Sequence, residues 1–480
     1  MYSKKPQSCE IEMTEASPSS PYPMALDSPI SLPAFYYPQQ QQQQFMFPTE
    51  LAIAPPVRFG QGKKIEQRYT INPLHIYTHQ INQSFLFLYM LDFLAHLPYE
   101  LSSRIISLLD FKSLISISSV SKQWRALYFD NDIWRRMMHE QGWGVQQQLT
   151  SNSRDSISEQ ENKQQQYMND QAINWHFQFT QKYQLLKRWN NGKVVSHFIM
   201  GHKQGVYCLQ FDDDKLVTGS RDRTIKFWDL MSYQCLYTLQ GHQGSVLCLK
   251  YDKDIMVSGS SDSTLIVWDM HTLQMVKQLK GHEGSVSDVC FDDRYIVSGS
   301  KDNNIHVWSR TNGELVRVIR GHCAPVNNVC LYGDHIVSAS GDATVRMWDI
   351  TTGTCIRQFT GHMHGVACVR YDGKRIVSGS NDRTIKVWDA ETGQNIMTLE
   401  GHTDLIRTLQ FVDNKIVSAG YDQSIRVWDM STGQCLLSFQ NGHSRIFNIQ
   451  FDKNRIISAR QDCNILVMDF AHGLDTRYLQ

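Results

Sequence analysis

Little in this sequence pulls it toward one class of partner. Lysine plus arginine number 47 and aspartate plus glutamate number 47, so no overall charge argues for nucleic acid or a membrane surface. The longest apolar run, Phe85 to Leu91, is far too short to span a bilayer. Eleven cysteines include no Cys-x-x-Cys, so the usual sign of a zinc site or a redox pair is missing. Their odd count, with no signal peptide at the start, fits a reducing compartment: cytoplasm, nucleus or both. There is no His-Glu-x-x-His and no Gly-x-Ser-x-Gly. Gly60-Gln61-Gly62-Lys63-Lys64 is too loose for a phosphate loop and lies outside any strand-to-helix context. An enzyme is therefore not expected, nor a cofactor or a metal.

What the chain does have is repetition. Gly-His recurs with His202, His242, His282, His322, His362, His402 and His443; the first six are 40 residues apart and the last step is 41. A fixed period of this size predicts a closed or stacked repeat fold. Three alternating strands follow each Gly-His, and a fourth precedes it. The count closes only if the first strand, Val194 to Ile199, joins the last three. The prediction is a seven-bladed propeller over 193–470, latched by its own N-terminal strand, with a tail at 471–480.

Ahead of the repeats the composition changes twice. Residues 1–68 are rich in Pro, Ser and Gln, with six glutamines at Gln39 to Gln44, and are expected to be disordered. Ser17, Ser20 and Ser28 each precede a proline, in ordinary tail composition. A short segment, 69–90, leads into a helical stretch at 91–140. There Pro98 suits a helix start. Leu101, Ile105, Leu108 and Leu109 follow at helical spacing, then Leu114, Ile117, Val120, Trp124 and Leu127. Asn131 or Asp132 can cap a last turn carrying Trp134. About 50 residues cannot hide this many large apolar side chains, so part of that surface is expected to be a docking face. Residues 141–171 read as a Gln-rich flexible insert. A helix is predicted from about 172 to 188, where Ala172, Trp175, Phe179, Tyr183 and Leu186 offer an apolar side at steps of three or four, within a linker at 172–192, ended by Asn190-Asn191-Gly192.

One polar set recurs in every unit. Thr218 lies four residues before Asp222 and Trp228 six after it, and the offsets persist to Ser458, Asp462 and Met468. His, Ser or Thr, Asp and Trp can form one buried hydrogen-bonded chain per blade, so these His–Asp pairs read as scaffold rather than a hydrolytic relay. Met468 has no indole donor, so the last blade is expected to be the least well held. Two further positions per unit fall at the mouth of the channel. Ahead of the turn aspartate stand Arg221, Ser261, Lys301, Gly341, Asn381, Tyr421 and Gln461. At the head of the first strand stand Tyr207, Leu247, Ser287, Asn327, Ala367, Arg407 and Phe447. Neither set holds an acid. Arg221, Lys301, Arg407 and nearby Arg445 give a local positive face suited to a phosphopeptide.

The Gly-His to Trp-Asp unit resembles that of WD-repeat β-propellers. The stretches Leu97-Pro98-Tyr99-Glu100-Leu101, Val120-Ser121-Lys122-Gln123-Trp124 and Asp132-Ile133-Trp134 resemble an F-box. In this order the pair is similar to the F-box/WD-repeat substrate receptors of SCF ubiquitin ligases. Gly205 to Gln210 and Gly244 to Leu249 point within these to the beta-transducin repeat-containing protein (Slimb) branch and its fungal relatives. The helix with Trp175, Tyr183 and Trp189 also resembles the linker helix of the yeast cell-division-control receptors, which have eight blades.

The resemblance implies a multidomain chain, an all-α F-box followed by an all-β seven-bladed WD-repeat propeller. It implies a non-catalytic subunit whose F-box binds the Skp adaptor, and through it cullin and a RING subunit, by Leu97, Pro98, Leu101, Ile105, Leu109, Leu114, Val120 and Trp124. It also implies that the propeller binds a doubly phosphorylated Asp-Ser-Gly-x-x-Ser degron. The matching positions are Tyr207, Arg221, Ser245, Ser261, Asn327, Gly365, Ala367, Leu405, Arg407, Tyr421 and Arg445. Ala343 and His364 stand where the relatives have arginine, Ser287 where they have leucine, and the connection from Trp428 to Cys435 is shorter. These departures leave the preferred degron open. Relatives pair through a segment before the F-box; 71–90 could serve, and a homodimer stays open. The alternative is a WD-repeat scaffold not tied to ubiquitin transfer.

Overall fold

The computed structural model describes residues 93–143, 173–440, 442 and 444–479. The expected tail at 1–68, the segment 69–90, most of the insert at 141–171, and His443 lie outside the described residues.

Among the described residues a 3-10 turn at Phe93–His96 is followed by four α-helices: α1 Tyr99–Ser107, α2 Phe111–Ile117, α3 Lys122–Tyr128 and α4 Asn131–Glu140. Short polar side chains start three of them. Asp110 accepts from the N–H of Lys112, Ser121 from that of Trp124, and Asp130 from that of Asp132. The cap of α4 is thus Asp130, not Asn131 or Asp132. Asn131 is already helical, and its side chain is used elsewhere: it donates to Ile173 O (2.7 Å) and accepts from Trp175 N–H (2.8 Å). Rather than a single turn, α4 is a full helix of 10 residues, with Ile133, Trp134, Met137 and Met138 buried.

The linker helix α5 spans Trp175–Asn191. It starts later than the apolar spacing suggests because Asn174 caps it, accepting from Phe177 N–H. It ends at Gly192, whose φ of 64° is the left-handed conformation that favours glycine. This helix belongs to two cores. Trp175 and Phe179 pack with Ile106, Leu114, Ile133 and Trp134 of the helical domain. Leu185 and Trp189 pack with Phe451, Ile456, Met468 and Phe470 of the β-domain. Residues 471–479 join this second contact: Ala471 and Leu479 are buried in it, and Asp475 N–H donates to Gln181.

Among the described residues, twenty-eight strands form seven four-stranded antiparallel sheets. Six sheets are contiguous in sequence. The seventh joins β1 (Val195–Ile199) to β26 (Ile446–Phe451), β27 (Arg455–Arg460) and β28 (Ile465–Asp469), in the order β1-β28-β27-β26. β1 starts one residue later than expected and pairs with β28 from Val195 opposite Asp469 to Ile199 opposite Ile465. First strands of successive sheets neighbour one another, and the last returns to the first. The ring is closed around a channel. Its core lies between blades, as where Val217, Ile225 and Phe227 meet Val246, Met256 and Trp268 of the next. The inner-strand Cys208, Cys248 and Cys368 are buried, whereas Cys235, Cys355 and Cys435 are exposed. Those three lie on outer edge strands that no further strand covers.

Candidate functional site

The polar set forms as the offsets predict in six blades. In the first, Trp228 Nε1–H donates to Thr218 Oγ1 (2.8 Å), Thr218 meets His202 Nε2 (2.9 Å), and His202 Nδ1 meets Asp222 Oδ2 (2.9 Å). An ionised carboxylate can only accept, so Nδ1 carries the imidazole proton and Nε2 accepts the hydroxyl proton. Each chain of bonds therefore runs one way, from indole to carboxylate. Burial pushes the carboxyls up, but hydrogen bonds from threonine or serine, histidine and backbone outweigh it. Asp342, Asp382 and Asp422 are held at about 2. Burial lowers His282, His322 and His362 despite their aspartate partners. These groups are locked into the scaffold and are not available for proton transfer to a substrate.

The mouth of the channel is built by a repeated irregularity. In all seven sheets the pairing of the first two strands slips at one residue, as between Val206 and Cys208 or between Ile406 and Thr408. The skipped residues are Tyr207, Leu247, Ser287, Asn327, Ala367, Arg407 and Phe447. A bulge leaves its extra residue out of the ladder and re-aims the side chain. All seven line one cavity of about 360 Å³, together with Lys301, Asn381, Leu405 and Tyr421. The turn residues are pinned beside them. Arg221 N–H donates to Gly205 O (2.9 Å), Asn381 N–H to Gly365 O (2.9 Å) and Tyr421 N–H to Leu405 O (3.0 Å).

Of the residues the resemblance assigns to a degron, Tyr207, Asn327, Ala367, Leu405, Arg407 and Tyr421 line this cavity. The other five do not line it, but they belong to the same turns and strand heads. Ser245 N–H donates to Ser261 Oγ (2.8 Å). Gly365 is crowded: a Cβ there would lie 3.1 Å from Gly341 Cα. Arg221 and Arg445 are exposed, and the Arg445 guanidinium lies over the Tyr421 ring at 4.8 Å. Tyr207 and Phe447 (4.9 Å) and Phe447 and Tyr421 (6.0 Å) make one aromatic wall.

Among the departures, Ser287 lines the cavity with its hydroxyl buried and unpartnered, and His364 is exposed. Ala343 occupies a left-handed turn position, φ 65°, where blades 1 and 5 carry the exposed Arg223 and Arg383. Those two arginines were not among the sequence candidates; the residue after each turn aspartate would have found them. Leu247, Lys301, Asn381 and Phe447 were legible from repeat position alone, Leu405 only from the resemblance. No lining residue is acidic, and Lys301 and Arg407 are cations.

The helical domain presents a second surface. Leu101, Ile105, Leu108 and Val120 are 51%, 38%, 80% and 60% exposed, while Ile106 and Leu114 are fully buried. The spacing thus singled out mostly the outward face of α1. Pro98 is exposed there, Leu97, Leu109 and Trp124 are half-buried, and Leu114 holds the helices together instead.

One cluster among the described residues has metal-ligand chemistry: His282, Asp302 and His306. The two imidazoles stack 3.6 Å apart at 10°. Their in-plane lone pairs run parallel and do not converge on one ion, and His282 Nδ1 is engaged by Asp302 at 2.7 Å. Burial, then the adjoining His282, hold His306 at about 4.

An F-box-like family model matches residues 94–140, and the WD domain, G-beta repeat model matches six stretches between 192 and 429. The chain is 34% identical over 170 residues to "Probable E3 ubiquitin ligase complex SCF subunit sconB" of Arthroderma benhamiae, covering 31% of this chain and 25% of that protein. It is 30% identical over 156 residues to an F-box protein of Saccharomyces cerevisiae, covering 30% and 24%. Each match thus spans about a quarter of the relative's length. The crystal structure of the WD40 β-propeller domain of Doa1 superposes with a TM-score of 0.54 at 27% identity, over 57% of this chain and 96% of that one. Four α-helices with an exposed apolar face, followed by a closed seven-bladed ring that carries six matched WD repeats, place the chain in the F-box/WD-repeat family.

Proposed function

We propose that this chain is the substrate-recognition subunit of an SCF-type ubiquitin ligase. Its F-box holds the Skp adaptor, and through it cullin and a RING subunit. Its propeller mouth holds a phosphorylated degron of a protein destined for ubiquitination. The observation that carries the degron half is the acid-free mouth: seven bulged residues converge with Lys301 and Arg407 inside and Arg221 and Arg445 at the turns. Arginine forks match phosphate oxygens. The apolar face of α1 and the names of the relatives support the adaptor half. The chain itself contributes proximity, raising the effective concentration of substrate lysines near the conjugating enzyme. It works in cytoplasm, nucleus or both, and needs neither nucleic acid nor membrane.

The test has two arms on the full chain. The first titrates an Asp-Ser-Gly-x-x-Ser peptide, unphosphorylated, singly and doubly phosphorylated. Binding is expected only with phosphate, and Arg407→Ala should weaken it by about tenfold or more, the loss of one charge-assisted contact. The second co-purifies the adaptor with wild type and with Leu101→Ala/Ile105→Ala, which should lose it. Phosphate-independent binding would overturn the degron assignment. Adaptor capture by neither protein would return the chain to a scaffold role.

A further inference from the structure

Below the mouth, the sevenfold repeat breaks in a way that scaffold demands do not explain. One inner-strand position reads Gln210, Lys250, Cys290, Cys330, Arg370, Gln410 and Gln450 around the ring. The glutamines tie neighbouring blades together. Gln210 Oε1 accepts from Tyr251 N–H (2.9 Å), Gln410 Oε1 from Phe451 N–H (2.7 Å) and Gln450 Oε1 from Phe211 N–H (2.8 Å). Blades 2 to 5 give up this bridge. Two short thiols stand in the middle, flanked by a lysine on one side and an arginine on the other. The space they leave is a cavity of about 350 Å³ lined by Lys250, Asp288, Cys290, Cys330 and Arg370. It shares no lining residue with the mouth.

Inside this cavity Lys250 and Arg370 face one carboxylate, Asp288, while Asp252, Asp292, Asp293 and Arg310 complete its lining at the rim. The Lys250 ammonium has no hydrogen bond or ion pair among the described residues, although burial, and then the Arg370 charge, disfavour its protonated form. Among the described residues Arg370 hydrogen-bonds through Nη1 alone, to Asn328 Oδ1 and Val369 O (both 2.9 Å). Asp288 Oδ2 accepts from Asn328 Nδ2 (2.7 Å) and Val329 N–H (3.1 Å), and its charge favours the protonated form of Lys250. The rim groups are also accounted for. Arg310 pairs with Asp252 (2.6 Å) and approaches Asp293 (3.9 Å), and Asp292 accepts from the backbone of Arg294 and Tyr295. Lys250 and Arg370 are half-buried in the channel, and three of the seven blades show that a neutral glutamine fits the same place.

We propose that this cavity binds a small tetrahedral oxyanion, of which orthophosphate is the simplest, between the Lys250 ammonium and the Arg370 guanidinium. The site is independent of the degron mouth and of the adaptor. A bound oxyanion accepts from Lys250 and Arg370, the two cations that stand where blades 1, 6 and 7 carry glutamine.

Calorimetric titration of the full chain with orthophosphate in a chloride buffer tests this. Wild type is expected to bind one phosphate saturably. Lys250→Gln and Arg370→Gln, each installing the residue that blades 1, 6 and 7 already carry, should keep the fold and weaken binding by about tenfold or more. Lys277→Gln makes the same charge change on the exposed outer wall and should bind as wild type. Absence of saturable binding by wild type, undiminished binding by both inner-channel variants, or equal weakening by Lys277→Gln would overturn the proposal. Circular dichroism melts report whether each variant is folded, and either inner-channel variant alone suffices.

Discussion

The serine under each tryptophan shows how much one hydroxyl can do. In blade 5, Ser378 Oγ takes the Trp388 indole N–H (2.8 Å) and meets His362 Nε2 (2.8 Å), all out of water. Ser378→Ala strands two buried polar groups and should cost about 1–3 kcal/mol. In blade 7 the same position, Ser458, is buried with no hydrogen-bond partner for its hydroxyl among the described residues, and Met468 stands where the other blades have tryptophan. Ser458→Ala should be close to neutral. Urea unfolding of both variants checks this, and equal losses would sink it. The glycine of Gly-His has its own cause: Gly201 sits at φ 151°, and a Cβ there would lie 2.9 Å from Trp228 Cη2. The four-residue chain was legible because its members keep constant offsets within one blade. The bulges were not. A bulge belongs to the pairing of two strands, so the sequence named Tyr207 or Arg407 as mouth residues without showing what turns them inward.

At the scale of elements, α5 decides whether the two domains behave as one. Trp189 stacks on Phe470 at 3.8 Å and 9°, donates its indole N–H to Lys453 O (2.8 Å) and lies 4.1 Å from the Lys415 ammonium. Arg188 adds hydrogen bonds to Phe470 O (2.9 Å) and His472 O (2.7 Å). Trp189→Ala empties the centre of this joint and should cost about 3–5 kcal/mol there. Because the rest of the ring is untouched, the loss should be local. Trypsin should cut after the exposed Lys193 much faster in the variant, while the β-sheet circular dichroism signal persists. Unchanged cleavage would mean that α5 is held by Arg188 and Leu185 instead. The helix itself was legible from Trp175, Phe179, Tyr183 and Leu186, but not its start. Asn174 and Asn131 both belong to a junction between α4 and α5, so the cap is set by a tertiary contact that spacing along one helix does not report.

For the whole molecule, ring closure means that every blade's buried network counts toward one cooperative unit. That gives its acid response a definite sign. The folded-state pKa of Asp342, Asp382 and Asp422 is about 2, and those of Asp222, Asp262 and Asp302 are also depressed. A depressed carboxylate contributes stability that is present above its unfolded value of about 4 and lost as pH falls below it. His282, His322 and His362 are depressed as well, because burial favours the neutral ring. Their stabilisation is complete above the unfolded value of about 6.5 and drains away below it. Asp288 and Asp452, raised by burial, work in the opposite direction, but they are two against six carboxylates and three imidazoles. The melting temperature of the full chain should therefore decline gently as pH drops from about 6.5 and steeply below about 4. Circular dichroism melts from neutral to acid pH measure it. A melting temperature that climbs between pH of about 6 and about 4 would mean that the imidazoles are charged in the folded ring, and the one-way chain from indole to carboxylate would have to be abandoned.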